Sequence, residues 1–230
     1  MSHEPDAASP IDPGRTRRSR GSLNPDLILQ AAEDVAAEGF DALTMRAVAG
    51  RLGAVPMALY NHFATKDALV DALLDRVLGR FELEPATGDW VDDLRRFAHA
   101  HRRVLTGHPW AVAPLFSRPN PGLGAVRIGE GALGILQQAG LSGARAVAAF
   151  SGIIALNYGW SSFTAPRTLD PGTPGRDVGA ALAALPRREY PLTVGAADEL
   201  ASYGSDAHYD FVLDQLLNGL RMTARASSGS

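Results

Sequence analysis

Between Thr44 and Lys66 the chain reads TMRAVAGRLGAVPMALYNHFATK, and no other stretch restricts the fold as strongly. Thr44 suits the N-cap of a short helix, because its hydroxyl can accept from a backbone N–H of the first turn. Leu43 and Val48 stand at the two positions of a hydrophobic staple. Val48, Ala49 and Leu52 make an inward face, and Gly53 supplies a turn. A third helix is expected from near Pro56 to about His62, and Thr65 can cap a longer fourth. A short helix, a glycine turn and a second short helix make the layout of a helix-turn-helix, whose second helix enters the major groove of DNA.

The flanking sequence completes a compact unit. Asn24 can cap a first helix, Pro25 fits its first position, and Asp26 complements the positive end of its dipole. Leu27, Ile28, Ala31, Ala32 and Val35 form one apolar stripe at helical spacing, and Gly39 fits a left-handed stop. The fourth helix carries Leu69, Leu73, Leu74, Val77 and Phe81, with Pro85 and Gly88 closing it. Upstream, residues 1–22 are expected to be a disordered basic arm, with Arg15, Arg17, Arg18 and Arg20 inside RTRRSR. Such a cluster is either a solvated tail or, beside a DNA-reading unit, an arm that touches phosphates or a minor groove. The reading unit is expected at 23–68.

Beyond Asp89 the texture changes to longer helices. Trp90, Leu94, Phe97, His101, Val104 and Leu105 share one face of a helix ending before Pro109. Trp110 to Phe116 is a short apolar piece, and Leu123 to Gln138 can form another helix, stopped by Gly140. Ser142 to Phe163 is apolar on more than one face, which implies burial on several sides. From Pro166 to Gly204 only Gly179–Leu185 reads as helical. A last helix is expected from Asp206 to about Ala224, apolar at Phe211, Val212, Leu213, Leu216, Leu217 and Leu220. The helical body is thus set at 69–224 and a disordered tail at 225–230. With no alternating strand pattern, the fold class is all-α.

Composition narrows the chemistry. Of 230 residues 46% are hydrophobic and 20% charged, enough for a sizeable core. The absence of cysteine excludes disulfides, thiolate metal sites and a cysteine nucleophile. There is no HExxH, no phosphate-binding glycine loop and no G-x-S-x-G elbow, so an enzyme is the least favoured reading. Asp92 and Asp93 look like a solvated helix face. His99 and His101 point to different faces of their helix and make a poor metal pair, so neither a metal nor a cofactor is expected. The polar opening MSHEPDAASPIDPG does not look like a secretory signal, and no run nears the roughly 18 apolar residues of a membrane span. A cytoplasmic protein without membrane contact is expected.

Leu43 to Ala49, Leu52-Gly53, Leu59-Tyr60-Asn61-His62-Phe63 and Lys66 resemble the DNA-binding domain of the tetracycline-repressor (TetR/AcrR) family. The resemblance covers Leu23–Leu78 strongly. Tyr209 to Leu220 resembles the last helix of the branch with a tetracycline-repressor-like C-terminal domain, and the middle matches only in texture. The resemblance implies phosphate-side contacts from Thr44, Tyr60, His62 and Lys66, the only lysine in the chain. It implies groove-facing positions at Arg46 and at Val55, Pro56, Met57 and Ala58. Arg46 can donate two hydrogen bonds to guanine O6 and N7. Val55 departs from the pattern: the family usually has a serine-like cap there, and its loss should cost roughly 1 kcal/mol. Pro56 limits the damage by removing one orphan donor. Apolar groove residues would lean on thymine methyls, Arg46 and the basic arm for base reading.

The resemblance further implies a homodimer through the Ser142–Phe163 and Asp206–Ala224 helices. Such a dimer would read a palindromic operator in double-stranded DNA. An effector pocket is expected among Trp90, Phe97, His101, Trp110, Phe116, Phe150, Asn157, Trp160 and Phe163, an aromatic set with two polar groups. His101 and Asn157 could equally be satisfied core residues. The expected function is a transcriptional repressor released from DNA by an unidentified small molecule. A regulator without a small-molecule effector is the alternative.

Overall fold

The computed structural model describes residues 23–118, 122–169 and 178–228. Arg17, Arg18 and Arg20 therefore lie outside the described residues, as do residues 229–230. Among the described residues every regular element is helical.

Three of the four α-helices in the N-terminal unit start where a side chain closes the first turn. Asn24 Oδ1 accepts from the Leu27 N–H at 2.9 Å and opens α1, Pro25–Ala37. Gly39, at φ +143°, ends it ahead of a 3-10 turn, Phe40–Ala42. Thr44 Oγ1 accepts from the Ala47 N–H at 3.1 Å to open α2, Met45–Arg51. Helix α3, Pro56–Tyr60, begins at Val55 with no side-chain cap, as the sequence implies. It stops short of His62, because the N–H groups of His62 and Phe63 both turn back to the Leu59 carbonyl at 2.9 Å. Thr65 Oγ1 accepts from the Ala68 N–H at 3.0 Å to open α4, Lys66–Leu78.

The α2–α3 turn depends on one dihedral. Gly53 sits at φ +63°, its N–H bonds to the Gly50 carbonyl at 3.1 Å, and the Ala54 N–H bonds to the Ala49 carbonyl at 2.9 Å. This pair of bonds is a Schellman closure, which favours glycine in the left-handed position. Ile28, Ala32, Leu43, Val48, Ala49, Leu59, Leu69 and Leu73 are fully buried and form the core of the unit.

Helix α4 ends at Leu78, earlier than the apolar pattern through Phe81 suggests. Phe81 instead turns into the body, its ring edge-on to Phe97 at 5.2 Å. The body comprises α5 (Trp90–Gly107), α6 (Pro109–Ser117), α7 (Leu123–Gln138), α8 (Gly143–Leu169), α9 (Val178–Ala183), α10 (Pro191–Gly195), α11 (Ala197–Ala201) and α12 (Asp206–Ser228). Helix α8 runs on past Phe163, and α12 runs past Ala224 through the first part of the expected tail. Helices α10 and α11 went unforeseen; they are five-residue turns packed with α9. Helix α8 packs on α5, α6 and α7, and α12 lies across α5 and α8.

Helix α4 joins the two parts. Arg76 and Arg80 reach back to Asp26 at 3.2 Å and Glu33 at 2.7 Å on α1. From the body, Arg118 grips Asp67 at 3.0 Å and Asp71 at 3.1 Å. The Gly124 N–H donates to Asp75 Oδ1 at 2.7 Å. A Cβ on Gly124 would lie 2.8 Å from the Asp75 carbonyl oxygen, so α7 can rest on α4 this closely only through glycine.

Candidate nucleic-acid interface and body cavity

Leu59 is the sole fully buried residue of α3 and anchors it to the core. The opposite side is turned outward: Val55 is 66% exposed and Met57 70%, beside exposed Pro56 and Tyr60 and half-buried Ala58. Thr44 and Arg46 before α3 in the chain, and His62 and Lys66 after it, are all exposed. Every predicted reading residue but half-buried Ala58 is thus exposed, and the arm arginines are not described.

Ion pairing separates these cations from the rest of the unit. Arg51 is held by Glu38, Arg76 by Asp26 and Arg80 by Glu33. Among the described residues, Arg46 and Lys66 meet no carboxylate. Two uncompensated cations flanking an exposed apolar helix can meet phosphates and base edges without first breaking an internal ion pair. Thr44 Oγ1 is already the acceptor for its own cap, but its O–H remains able to donate.

In the body, a cavity of about 320 Å³ is lined by Leu78, His101, Ala125, Val126, Ile128, Phe150, Ile154 and Tyr158. Its walls come from α4, α5, α7 and α8. Of the predicted pocket residues, His101 and Phe150 line it. Phe116 stands nearby with its ring 6.2 Å from Tyr158, and Asn157 lies behind His101. The other aromatic residues are placed elsewhere. Phe97 and Trp110 are core, against Phe81 and His108 respectively. Trp90 borders a groove beside Arg221 and Arg225 of α12. Trp160 donates to the Gly204 carbonyl at 3.2 Å and packs with Phe163 and Tyr209. The reason is helical phase. Phe150, Ile154 and Tyr158 recur every four residues and share a face, whereas Trp160 turns toward Tyr209 of α12 and Phe163 toward Tyr203. That spacing was the available signal for Ile154 and Tyr158; nothing local marks Leu78 or Ile128.

Asn157 is the centre of a buried network. Its Nδ2 donates to the Ala98 carbonyl at 2.9 Å and lies 3.0 Å from His101 Nδ1, while Tyr209 O–H donates to its Oδ1 at 2.6 Å. Burial holds the His101 imidazole well below its ordinary range, at about 4, and pushes the Tyr158 phenol up to about 12. His99, on another face, pairs with Asp210 at 3.3 Å.

Comparison with known proteins decides the family. The model described as bacterial regulatory proteins, tetR family, matches residues 28–73, and that of the tetracycline-repressor-like C-terminal domain matches residues 84–224. The chain belongs to the tetR family of bacterial regulatory proteins. An HTH-type transcriptional regulator of Saccharopolyspora erythraea is 34% identical over 218 residues, covering 92% of this chain and 90% of the relative. The HTH-type transcriptional repressor DrrR1 of Streptomyces coeruleorubidus is 31% identical over 231 residues, covering 95% of this chain and 85% of the relative. The Streptomyces coelicolor TetR family protein ActR, solved in complex with actinorhodin, superposes with a TM-score of 0.76 at 26% identity, covering 88% of this chain and 98% of that one. As a tetR-family member the chain is a DNA-binding transcriptional regulator and not an enzyme. Among the described residues no helix is long and apolar enough to cross a membrane.

Proposed function

We propose that this regulator is a cytoplasmic homodimeric repressor that grips a palindromic operator and lets go when a small molecule fills the cavity bounded by α4, α5, α7 and α8. The observation that carries the reading is the pair of unneutralised cations, Arg46 and Lys66, beside an outward-facing α3. In this account Thr44, Tyr60, His62 and Lys66 hold phosphates, while Arg46, Val55, Pro56, Met57 and Ala58 face bases. The arm arginines Arg17, Arg18 and Arg20 add contacts along the backbone or in the minor groove.

Dimerisation is supported by the outward face of the two long helices. Along α8, Ala144, Ala148, Ser151, Ala155 and Gly159 are exposed small residues, which let a second helix approach closely. Phe211 of α12 is 65% exposed and Met222 67%, large apolar surfaces that a lone subunit leaves in water. A two-fold axis there would set two α3 helices about 34–36 Å apart, one turn of duplex.

Effector response is supported by the cavity and by the ligand carried by ActR. Leu78, the last residue of α4, is part of the cavity wall, and Asp75 and Asp71 tie the same helix to the body. A ligand that favours one pose of α4 changes the separation of the reading heads, and the operator disfavours that pose in return.

Fluorescence anisotropy with the native upstream DNA tests the reading. Salt-dependent, sequence-selective binding is expected; indifference to sequence would discard it. A thermal-shift screen that never moves the melting temperature would remove the effector and leave a regulator controlled by abundance or by a protein partner.

A further inference from the structure

The cavity's polar groups have a definite direction, and this deepens the reading of it as the effector site, on which it rests. The Ala98 carbonyl can only accept, so the Asn157 atom facing it at 2.9 Å is the amide nitrogen. That nitrogen carries two hydrogens; the second points at His101 Nδ1, 3.0 Å away. Tyr209 O–H, 2.6 Å from Asn157 Oδ1, satisfies the other end of the amide. Nδ1 of His101 is therefore an acceptor, and the proton of the neutral ring resides on Nε2. Among the described residues no protein acceptor reaches Nε2, although His101 is 1% exposed and its ring lines the cavity.

We propose that the effector is an uncharged, flat, largely apolar molecule that presents a carbonyl-type acceptor to the Nε2–H of His101. Among the described residues no carboxylate lines the cavity to compensate a cation, and no arginine or lysine lines it to compensate an anion. Burying an uncompensated charge there is unfavourable for either sign. Phe150 and Tyr158 offer aromatic contact, and Leu78, Ile128 and Ile154 offer aliphatic contact. The volume of about 320 Å³ lies at the small end of ligand sites and fits a compact ring system. An acceptor supplied by the ligand meets this N–H among largely apolar walls, where a hydrogen bond gains more than in water.

Three probes of one shape test this by calorimetry at pH 7.5: 2-acetylnaphthalene, 2-ethylnaphthalene and the cationic 1-(2-naphthyl)ethylamine. The ketone is expected to bind roughly tenfold tighter than the hydrocarbon, the contribution of one buried hydrogen bond, and the amine weakest. His101→Phe should erase the ketone's advantage while retaining the hydrocarbon. Should that variant fail to fold, long-range ¹H–¹⁵N spectra of the unmodified protein read the ring directly: Nε2 protonated and Nδ1 bare is expected. A ring protonated on Nδ1, equal affinity for ketone and hydrocarbon, or a preference for the amine overturns the proposal. Equal affinity leaves the cavity a ligand site. No binding by any probe removes the effector site itself, and the proposal with it.

Discussion

Thr44, Arg46, Tyr60 and Lys66 lie on one short stretch of chain, and capping bonds three residues apart set the geometry between them. The cavity in the body instead draws Leu78, His101, Ile128 and Tyr158 from four helices that meet only when the whole body packs. The head also exposes its proposed contact groups and buries other residues, Ile28 and Leu59 among them. The body embeds His101 and Asn157 in the packing itself. Damage should therefore divide: changes to the head's exposed side chains should alter DNA binding and spare stability, and changes at the cavity wall should do the reverse.

Asn157→Leu should show the largest effect. It leaves Tyr209 O–H and His101 Nδ1 buried without partners, and unsatisfied groups of this kind cost about 1–3 kcal/mol each. A loss of about 3 kcal/mol should lower Tm by roughly 6–12 °C for a chain of this size. Operator affinity measured well below that temperature should persist; a collapse of affinity with intact Tm would erase the division.

Next comes pH. The folded-state pKa of His101, about 4, is depressed below its unfolded value of 6.5. The unfolded chain thus takes up the proton first, and stability is lost as pH falls through 6.5 toward 4. The ring faces Asn157 and Tyr158, with Tyr209 beyond, and neither phenol ionises in that window. Between pH 7.5 and 5 the urea-unfolding free energy should drop by about 2 kcal/mol more in the native sequence than in His101→Phe. Parallel curves would place the histidine outside the core.

In the head, Arg46→Ala should lose about 1–3 kcal/mol of discrimination between operator and a base-substituted duplex. Its Tm should not change. Lys66→Ala should weaken all sequences alike and reduce the salt slope by about 1. If Arg46→Ala left preference unchanged, base reading would belong to other residues. The smallest effect is Gly53→Ala: no atom obstructs a Cβ there, so only the φ of +63° is strained, worth about 1 kcal/mol in chemical denaturation.

The same contrast governs what the amino-acid sequence reveals. Asn24, Thr44, Thr65, Gly53 and Gly140 act through bonds spanning a few residues, so their roles were legible before any tertiary structure. Even the missing cap at Val55 was. Helix α4 was overextended because Phe81 kept the apolar period after Gly79 had ended the helix; its ring was committed to Phe97, a contact invisible locally. Trp90, Phe97, Trp110 and Trp160 were sensible pocket candidates by residue type. Which wall a large ring faces depends on how neighbouring helices are rotated, and composition carries no record of that. Leu78 and Gly124 matter through the approach of α7 to α4, which only packing defines.

One titration tests the central claim, that paired heads held at a fixed distance read duplex DNA. The duplex that the chain selects from its own upstream DNA is compared with a version in which its two halves are moved apart by half a helical turn, about 5 base pairs. The mass of each complex is measured together with its affinity. Two chains per native duplex, and at least a hundredfold weaker binding to the shifted one, is the expected result. A single chain per duplex, bound equally to both, would contradict it.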